Sequence, residues 1–172
     1  AGYVLSKKKF KIKKKLLGLN QAAMMFVATA VVIPRYFIIT NIGLANTMWV
    51  HIFPLLAMPV GLFLIKNFMD QVPDELIEAA YMDGANDFQI IFRVIIPIIK
   101  PAIATVGILA FQQVWSNVET SNIFVTEETL KTFAFYMNTL TASTAGNTIV
   151  GVGMQAAATV LMFLPNLIIF IF

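Results

Sequence analysis

This 172-residue chain contains no cysteine and only one histidine, His51. Disulfide bonds and thiolate metal sites are therefore excluded, and a histidine metal cluster is impossible. The sequence also lacks a G-x-x-x-x-G-K-[ST] run and a dinucleotide-binding fingerprint, so it carries no recognisable phosphate-binding loop. We predict no catalytic residue, no metal site and no cofactor site for this chain.

Charge is scarce as well. Only 12% of the residues are charged and 59% are hydrophobic, with 15 Phe and 9 Met, a balance that soluble domains rarely reach. A bilayer core of about 30 Å requires about 20 apolar residues per helix. The composition therefore predicts an all-α, polytopic transmembrane helical bundle. We predict four spans, at 16–40, 47–69, 98–118 and 147–172.

The few charges are clustered, and the clusters predict the topology. Seven of the 12 basic residues lie between Lys7 and Lys15, and basic residues in short loops stay cytoplasmic. Residues 1–15 and the acidic loop 70–97 are then cytoplasmic, whereas 119–146 is external. Burying the seven charges between Asp70 and Arg93 would cost more than roughly 15 kcal/mol, so that loop cannot be a span.

The lysine cluster has a second interpretation as a patch for nucleic acid or acidic lipid. Its position beside a predicted span favours topology anchoring with some lipid contact, and we predict no nucleic-acid partner. The chain starts without Met and stops inside an apolar run. We therefore expect it to be part of a longer membrane protein.

The acidic loop has the local chemistry of two short helices joined at a corner. Pro73 suits a first helical position, and acidic residues after it complement the positive end of a helix. Leu76, Ala79, Ala80 and Met82 are predicted to form an apolar stripe. Gly84 supplies the left-handed conformation of a C-terminal cap, and Asn86 or Asp87 can cap the next helix. An ordinary capped loop explains the same features.

The stretch EAAYMDGANDFQIIFRVIIPIIKP, Glu78 to Pro101, resembles the EAA loop of ABC importer permeases. That pattern is Glu-Ala-Ala, two residues, then Asp-Gly-Ala, with prolines at the positions of Pro97 and Pro101. The flanking stretches AGYVLSKKKF, GLANTMWVHIFPLLAMPVGLFLIKNFMDQVPDELIEAA and FQQVWSN resemble the maltose-type permeases of carbohydrate importers. Two departures are Ile91, where many relatives carry Phe, and WSNVE, where relatives often have Trp-Asn-Asp.

The resemblance implies a multi-pass permease subunit in a bacterial cell membrane, with the four spans as the last four of six. It implies a second homologous permease, two cytoplasmic ATPase subunits that bind ATP and Mg²⁺, and an extracytoplasmic solute-binding protein. It also implies that the loop couples ATPase closure to alternating access. The coupling candidates are Leu76, Glu78, Ala79, Ala80, Asp83, Gly84 and Ala85, with Glu78 as the polar contact and Asp83 and Gly84 holding the corner.

Polar residues near the outer end of the third span are the candidates for the substrate pathway, because polar side chains within spans usually face the bundle interior. They are Gln112, Gln113, Trp115, Ser116, Asn117 and Glu119. Trp115 could equally be an interfacial aromatic residue, and the amides could only bridge helices. Asn20, Gln21 and Gln155 are further candidates. We expect His51 to be packed or hydrogen-bonded and Arg35 to extend toward the membrane surface.

Three alternatives remain at this stage. The first is an ABC importer that has the same coupling loop but transports another small solute, such as an amino acid or phosphate. A membrane-embedded enzyme lacks support, because the predicted spans hold no close acid–base pair. A purely structural membrane subunit would not need a rigid coupling loop.

Overall fold

A computed structural model describes residues 1–8, 10–26, 28–143 and 149–171. Every regular element within these ranges is helical, which confirms the all-α class. The α-helices are α1 (Gly2–Lys7), α2 (Lys13–Met25), α3 (Val32–Asn41), α4 (Pro59–Asp70), α5 (Asp74–Met82), α6 (Asp87–Ile90), α7 (Ile96–Ile98), α8 (Lys100–Trp115), α9 (Glu119–Phe124), α10 (Phe133–Ser143) and α11 (Ile149–Ile171). Shorter 3₁₀ helices are Ala28–Val31, Met48–His51, Phe53–Leu55 and Glu128–Leu130, and Ile91–Ile95 is a π-helix.

Two helical stretches among the described residues are long and apolar enough to cross a membrane, Met48–Asp70 and Val152–Ile171. They agree with the predicted second and fourth spans, although 147, 148 and 172 lie outside the described residues. Asp87–Ile98 and Lys100–Trp115 pass the same test together but are bent by 80°. The helix of the predicted third span therefore begins at Lys100, two residues later than expected.

The span predicted over 16–40, with an interruption at Pro34 and Arg35, is already broken before those two residues. Helix α2 ends at Met25 and the backbone of Phe26 is extended, with ψ at 131°. A 3₁₀ turn follows, and α3 begins only at Val32. Pro34 thus lies in the first turn of a new helix, where its missing N–H has no intrahelical partner to lose.

The chain divides into two compact units, Ala1–Val27 with Met58–Ala110, and Ala28–Ala57 with Phe111–Phe172. In the first unit, α1 packs closely on α4: a Cβ added to Gly2 would lie 2.8 Å from Ile65. The buried core of this unit, called here the loop core, joins α1 and α4 to the helices after Asp70. Its members are Tyr3, Met69, Val72, Ile77, Ile90, Ile95, Ile99 and Ala102.

The bend before α8 lies between two prolines. Pro97 falls in the first turn of α7, directly after the π-helix, and Ile99 leaves helical geometry with φ −91° and ψ 12°. Pro101 then lies in the first turn of α8. Because proline cannot donate to a preceding turn, the pair ends one helix and starts another within a few residues.

In the second unit, a small core of Ile39, Val50, Phe124 and Val125 is buried. Asn46 adopts a left-handed backbone, with φ at 56°, which Asn tolerates better than most residues. Its N–H donates to the carbonyl of Phe124 at 2.8 Å, and its side-chain Oδ1 accepts from the N–H groups of Thr126 and Glu127 at 3.1 and 3.0 Å. One residue therefore fixes the loop after α3 to the loop after α9.

Candidate functional site

Helices α5 and α6, called here the helix pair, are joined by a corner that backbone hydrogen bonds define. The N–H of Gly84 donates to the carbonyl of Tyr81, and the N–H of Ala85 donates to the carbonyl of Ala80, both at 3.0 Å. This is a Schellman motif, which needs a left-handed residue where Gly84 has φ +79°. The structure thus gives Gly84 the role expected from the sequence.

The second arm starts with a capping box. The side chain of Asn86 accepts from the N–H of Gln89, and the side chain of Gln89 accepts from the N–H of Asn86, both at 2.9 Å. Of the two residues that the sequence left open, Asn86 is therefore the cap. At the start of the first arm, Pro73 is the N-cap rather than the first helical residue. Both arms thus have fixed beginnings, and the corner between them is fixed as well.

The residues of the apolar stripe predicted on α5 do not all have the same surroundings. Ile77, only 7% exposed, is the residue that enters the loop core, with Ala80 and Ala85 packed half-buried against it. Leu76 is exposed, and Met82 is 89% exposed. Leu76, Ala79 and Met82 of the predicted stripe are thus exposed, Ala80 packs inward, and the buried residue is Ile77, which the predicted stripe did not include.

The exposed side of α5 carries Glu75, Glu78, Ala79 and Met82. These residues recur at the spacing i, i+3, i+4 and i+7, so they share one face of the helix. Beyond the corner, Phe88 is 74% exposed, and Phe92 is exposed too. Of the predicted coupling residues, Leu76, Glu78, Ala79, Asp83 and Gly84 are at the surface, whereas Ala80 and Ala85 pack inward.

Two lysines from the N-terminal segment are bonded to the helix pair. Lys7 Nζ donates to Asp74 Oδ1 at 2.7 Å and to the carbonyl of Val72, where α5 begins. Lys8 Nζ donates to Asp87 Oδ1 at 2.9 Å and to Tyr81 Oη at 3.1 Å. Part of the acidic charge of the loop is therefore neutralised within the chain.

Asp87 is the hub of this cluster. Its Oδ1 accepts from Lys8, from the hydroxyl of Tyr81 and, at 3.4 Å, from the hydroxyl of Tyr3. The hydrogen bond from Tyr81 and the charge of Lys8 hold the pKa of Asp87 below its ordinary value. Burial, followed by the contact with Tyr81, raises the pKa of Tyr3 to about 12, and the bonds to Asp87 and Tyr81 raise the pKa of Lys8.

Sequence analysis missed the roles of Tyr3, Lys7, Lys8, Tyr81 and Asp87. These contacts join residues 67 to 84 positions apart, except for the bond between Tyr81 and Asp87. A local pattern cannot show such pairing. The one available signal was that a lysine cluster and an acidic loop were both predicted on the cytoplasmic side, where opposite charges attract.

In the second unit, three of the predicted substrate-pathway residues have structural partners. Trp115 Nε1 donates to the carbonyl of Met162 at 3.0 Å, which fixes α8 to α11. Asn117 Oδ1 accepts from the N–H of Thr120, in the first turn of α9, at 3.0 Å. Glu119 forms an ion pair with Arg35.

The other three candidates, Gln112, Gln113 and Ser116, are exposed. Ser116 borders a cavity of about 250 Å³ among α10, α11 and the turn between α8 and α9. The cavity lining combines apolar and small polar side chains: Ser116, Val118, Ala134, Met137, Asn138, Thr141, Ala158, Thr159 and Met162. Hydroxyl and amide groups on an apolar wall suit a neutral polar ligand. The structure does not place Gln112 and Gln113 in this lining.

Of the further polar candidates, Gln21 and Gln155 are exposed, whereas Asn20 lies in a contact between helices. Asn20 donates to the carbonyl of Pro59 at 3.2 Å, which links α2 to α4. His51 Nε2 lies 2.9 Å from the carbonyl of Leu130, as expected for a hydrogen-bonded residue. The guanidinium of Arg35 pairs with Glu119 and lies over the ring of Phe124, and its extension toward the membrane surface stays a prediction. The described residues contain no group of three or more His, Cys, Asp or Glu side chains arranged to hold a metal ion.

An all-helical chain with stretches long and apolar enough to cross a membrane and a capped helix pair between them is typical of a membrane transporter subunit. The whole chain, residues 1–172, matches the family described as "Binding-protein-dependent transport system inner membrane component" and belongs to it. This is the permease family of ABC importers, as the resemblance of the EAA loop predicted.

Two relatives of known family are similar to most of this chain. The chain is 32% identical over 169 residues to the probable ABC transporter permease protein YurM of Bacillus subtilis, covering 95% of this chain and 56% of that protein. It is 28% identical over 174 residues to the melibiose/raffinose/stachyose import permease protein MelC of the same organism, covering 99% of this chain and 62% of that protein. The chain thus spans about six-tenths of the length of these relatives.

A solved structure has the same fold. The crystal structure of a bacterial ABC transporter involved in the import of the acidic polysaccharide alginate matches with a TM-score of 0.83 at 23% identity. The match covers 98% of this chain and 63% of that chain. The helical arrangement described above is therefore the fold of an ABC importer permease.

Proposed function

We propose that this chain forms the translocation-pathway part of an ATP-driven carbohydrate importer in a bacterial cell membrane. Membership of the permease family supports the importer, and relatives whose names state melibiose/raffinose/stachyose import and diacetylchitobiose uptake support carbohydrate as cargo. Residues 1–15 and 70–97 are cytoplasmic in this proposal, and 119–146 is external; of these, Lys9 and 144–146 lie outside the described residues.

The observation that carries the proposal is the preorganised helix pair. Its corner is fixed by the Schellman motif and the capping box, its inner side is packed on the loop core, and its outer side exposes Glu78, Ala79 and Met82. Such an element can dock in a groove of another protein with little loss of conformational freedom. We assign the docking contacts to Glu78, Ala79 and Leu76, and the corner to Ala80, Asp83, Gly84 and Ala85.

The docking partner is a cytoplasmic ATPase subunit. Because this chain has no phosphate-binding loop in its sequence, ATP and Mg²⁺ belong to two such subunits, and closure of their dimer moves the permease helices. A second homologous permease completes the pathway, and an extracytoplasmic solute-binding protein delivers the cargo. The lipid bilayer surrounds the assembly.

The substrate pathway is assigned to the outer part of α8 and the cavity beside it. The exposed residues that can contact a sugar are Gln112, Gln113 and Ser116. The hydrogen bonds and the ion pair of Trp115, Asn117 and Glu119 hold this part of the chain in place. A small solute of another kind is the second candidate for cargo, because the helix pair itself carries no information about what is transported.

The experiment is a comparison of two variants at Gly84 in proteoliposomes that contain the whole transporter with its binding protein. A Cβ at Gly84 meets no atom within 4 Å, but its φ of +79° strains an ordinary residue. Gly84→Val should therefore distort the corner, whereas Gly84→Asn tolerates this backbone and serves as the matched control. We expect substrate-stimulated ATP hydrolysis and sugar uptake to fall about tenfold or more in Gly84→Val and to persist in Gly84→Asn.

Co-purification of the ATPase and membrane insertion are measured in the same preparations. Full activity of Gly84→Val would show that the corner does not transmit movement, and the coupling assignment would be wrong. Uptake of an amino acid or phosphate instead of a sugar by the wild type would retain the importer and refute the carbohydrate cargo.

A further inference from the structure

The N-terminal segment is bonded to both arms of the helix pair. We propose that Lys7 and Lys8 form a two-point clamp that holds the helix pair against α1, so that α1 and the corner move as one body. The two lysines are positioning residues: they act through Asp74, Tyr81 and Asp87. The consequence for transport depends on the function proposed above, whereas the clamp itself does not.

The first point of the clamp is at the start of α5. The Lys7 side chain is only 10% exposed, and its ammonium group donates both to the carbonyl of Val72 and to Asp74. A nearly buried cation requires such partners, because losing either would leave a charge without compensation. This point therefore holds the first arm at its base.

The second point spans the corner itself. Lys8 bonds Tyr81 and Asp87, which lie on opposite sides of Gly84 in the sequence. Tyr81 also donates to Asp87 directly, and Tyr3 of α1 adds a further donor to the same carboxylate oxygen. A change in the angle between the two arms would have to separate these groups, so the cluster resists opening of the corner.

The clamp has a rigid base. Helix α1 packs on α4 through Gly2, where no larger residue fits without displacing Ile65. Ser6 Oγ donates to Asp70 Oδ1 at 2.6 Å, and Lys13 Nζ donates to the carbonyl of Ser6 at 2.6 Å. Force applied to the helix pair is therefore transmitted through Lys7 and Lys8 to α4, in addition to the route along the chain into α8.

Other lysines of the same cluster provide the contrast. Lys11, Lys14 and Lys15 are exposed and are suited to contact with anionic lipid headgroups or to topology anchoring. Lys7 and Lys8 differ from them because their ammonium groups are engaged with the helix pair. Among the described lysines of this cluster, Lys7 and Lys8 thus form the clamp, and Lys11, Lys14 and Lys15 face outward.

Lys8→Met tests the clamp, and Lys11→Met is the matched control, since both remove one ammonium group from the same segment. Hydrogen exchange is measured at the amides of Gly84 and Ala85, which close the corner. We expect exchange to become about tenfold faster in Lys8→Met and to stay unchanged in Lys11→Met, because only the former releases the corner. The double variant Lys8→Asp with Asp87→Lys restores an opposite-charge pair and should recover part of the protection.

The second readout is the number of ATP molecules hydrolysed per sugar imported by the full transporter. We expect Lys8→Met to raise this ratio about threefold while the ATPase still co-purifies, because a docked but loosely held helix pair transmits less movement. Unchanged exchange at Gly84 and Ala85 in Lys8→Met would overturn the clamp. Faster exchange with an unchanged ratio would overturn its role in coupling.

The two proposals can fail separately. A wild-type chain without ATP-driven uptake would refute the proposed function, yet the exchange measurement would still decide whether the clamp exists. Equal acceleration of exchange in Lys8→Met and Lys11→Met would show a general charge effect on this segment and would also overturn the clamp.

Discussion

The helix pair and the segment from Ser116 to Ser143 both connect longer apolar helices, but they are held in different ways. The helix pair has a Schellman motif, a capping box and side-chain bonds from Lys7 and Lys8, and its inner residues Ile77 and Ile90 are buried in the loop core. The other segment is held by side-chain hydrogen bonds, such as the one between Ser121 and Thr132, and by an ion pair between Lys131 and Glu128, and it borders a cavity of about 250 Å³. In the function proposed above, the first connection transmits movement and the second borders the solute pathway, so each construction matches its proposed role.

The largest expected effect comes from emptying the loop core beneath the helix pair. Ile90 is fully buried, with 0% exposure, and its replacement by Ala should lower the free energy of unfolding by about 3 kcal/mol. Phe88→Ala removes an even larger side chain, but from an exposed position. It should change the free energy of unfolding by less than about 0.5 kcal/mol. Denaturant unfolding in detergent measures both. Equal losses would show that the helix pair is not packed as described.

A second prediction compares the loop core with the cavity by the same Ala→Val replacement in each. Ala102 is buried in the loop core and Ala158 borders the cavity. Ala102→Val should cost about 2 kcal/mol of unfolding free energy because two methyl groups enter a filled core. In Ala158→Val the added methyl groups can extend into the cavity, so we expect a cost below about 1 kcal/mol. A larger cost at Ala158 would contradict the difference in packing.

The smallest expected effect concerns pH. The pKa of Asp87 is lowered in the folded protein by its bonds with Tyr81 and Lys8, so its carboxylate stabilises the fold above the unfolded pKa of about 4 and loses that contribution as the pH falls through the folded value. The melting temperature of the wild type should therefore drop more steeply between about pH 5 and about pH 3 than that of Asp87→Asn. Asp83→Asn is the matched control and should follow the wild type. Parallel curves for the wild type and Asp87→Asn would refute the prediction.

Local signals predicted a large part of the loop. The left-handed requirement at Gly84 and the cap at Asn86 follow from residue chemistry within a few positions, and the structure has both. The inward face of α5 was not predicted, because Leu76, Ile77, Ala79, Ala80 and Met82 are all apolar and a single helix cannot show which side its neighbours cover. The contacts with Lys7 and Lys8 were beyond local reasoning for the same reason.

The spans and the pathway show a similar limit. Hydropathy identified the apolar stretches, but it did not show that α2 ends before Pro34 or that the chain bends by 80° before α8, since both depend on backbone geometry at single residues. In the predicted substrate set, Asn117 and Glu119 are polar residues near the end of a span. The hydrogen bond of Asn117 with Thr120 is local, but the ion pair of Glu119 with Arg35 joins segments that only the folded chain brings together.

The 80° bend at Ile99 has a mechanical consequence. Asp87–Ile98 forms an arm of 12 residues attached almost at a right angle to α8, and at about 1.5 Å per residue this arm is about 18 Å long. A displacement at the tip of such an arm acts as a torque and turns α8 about its own axis, whereas a straight helix would only slide along its length. With an arm of this length, a shift of about 3 Å at the tip corresponds to a rotation of about 10°.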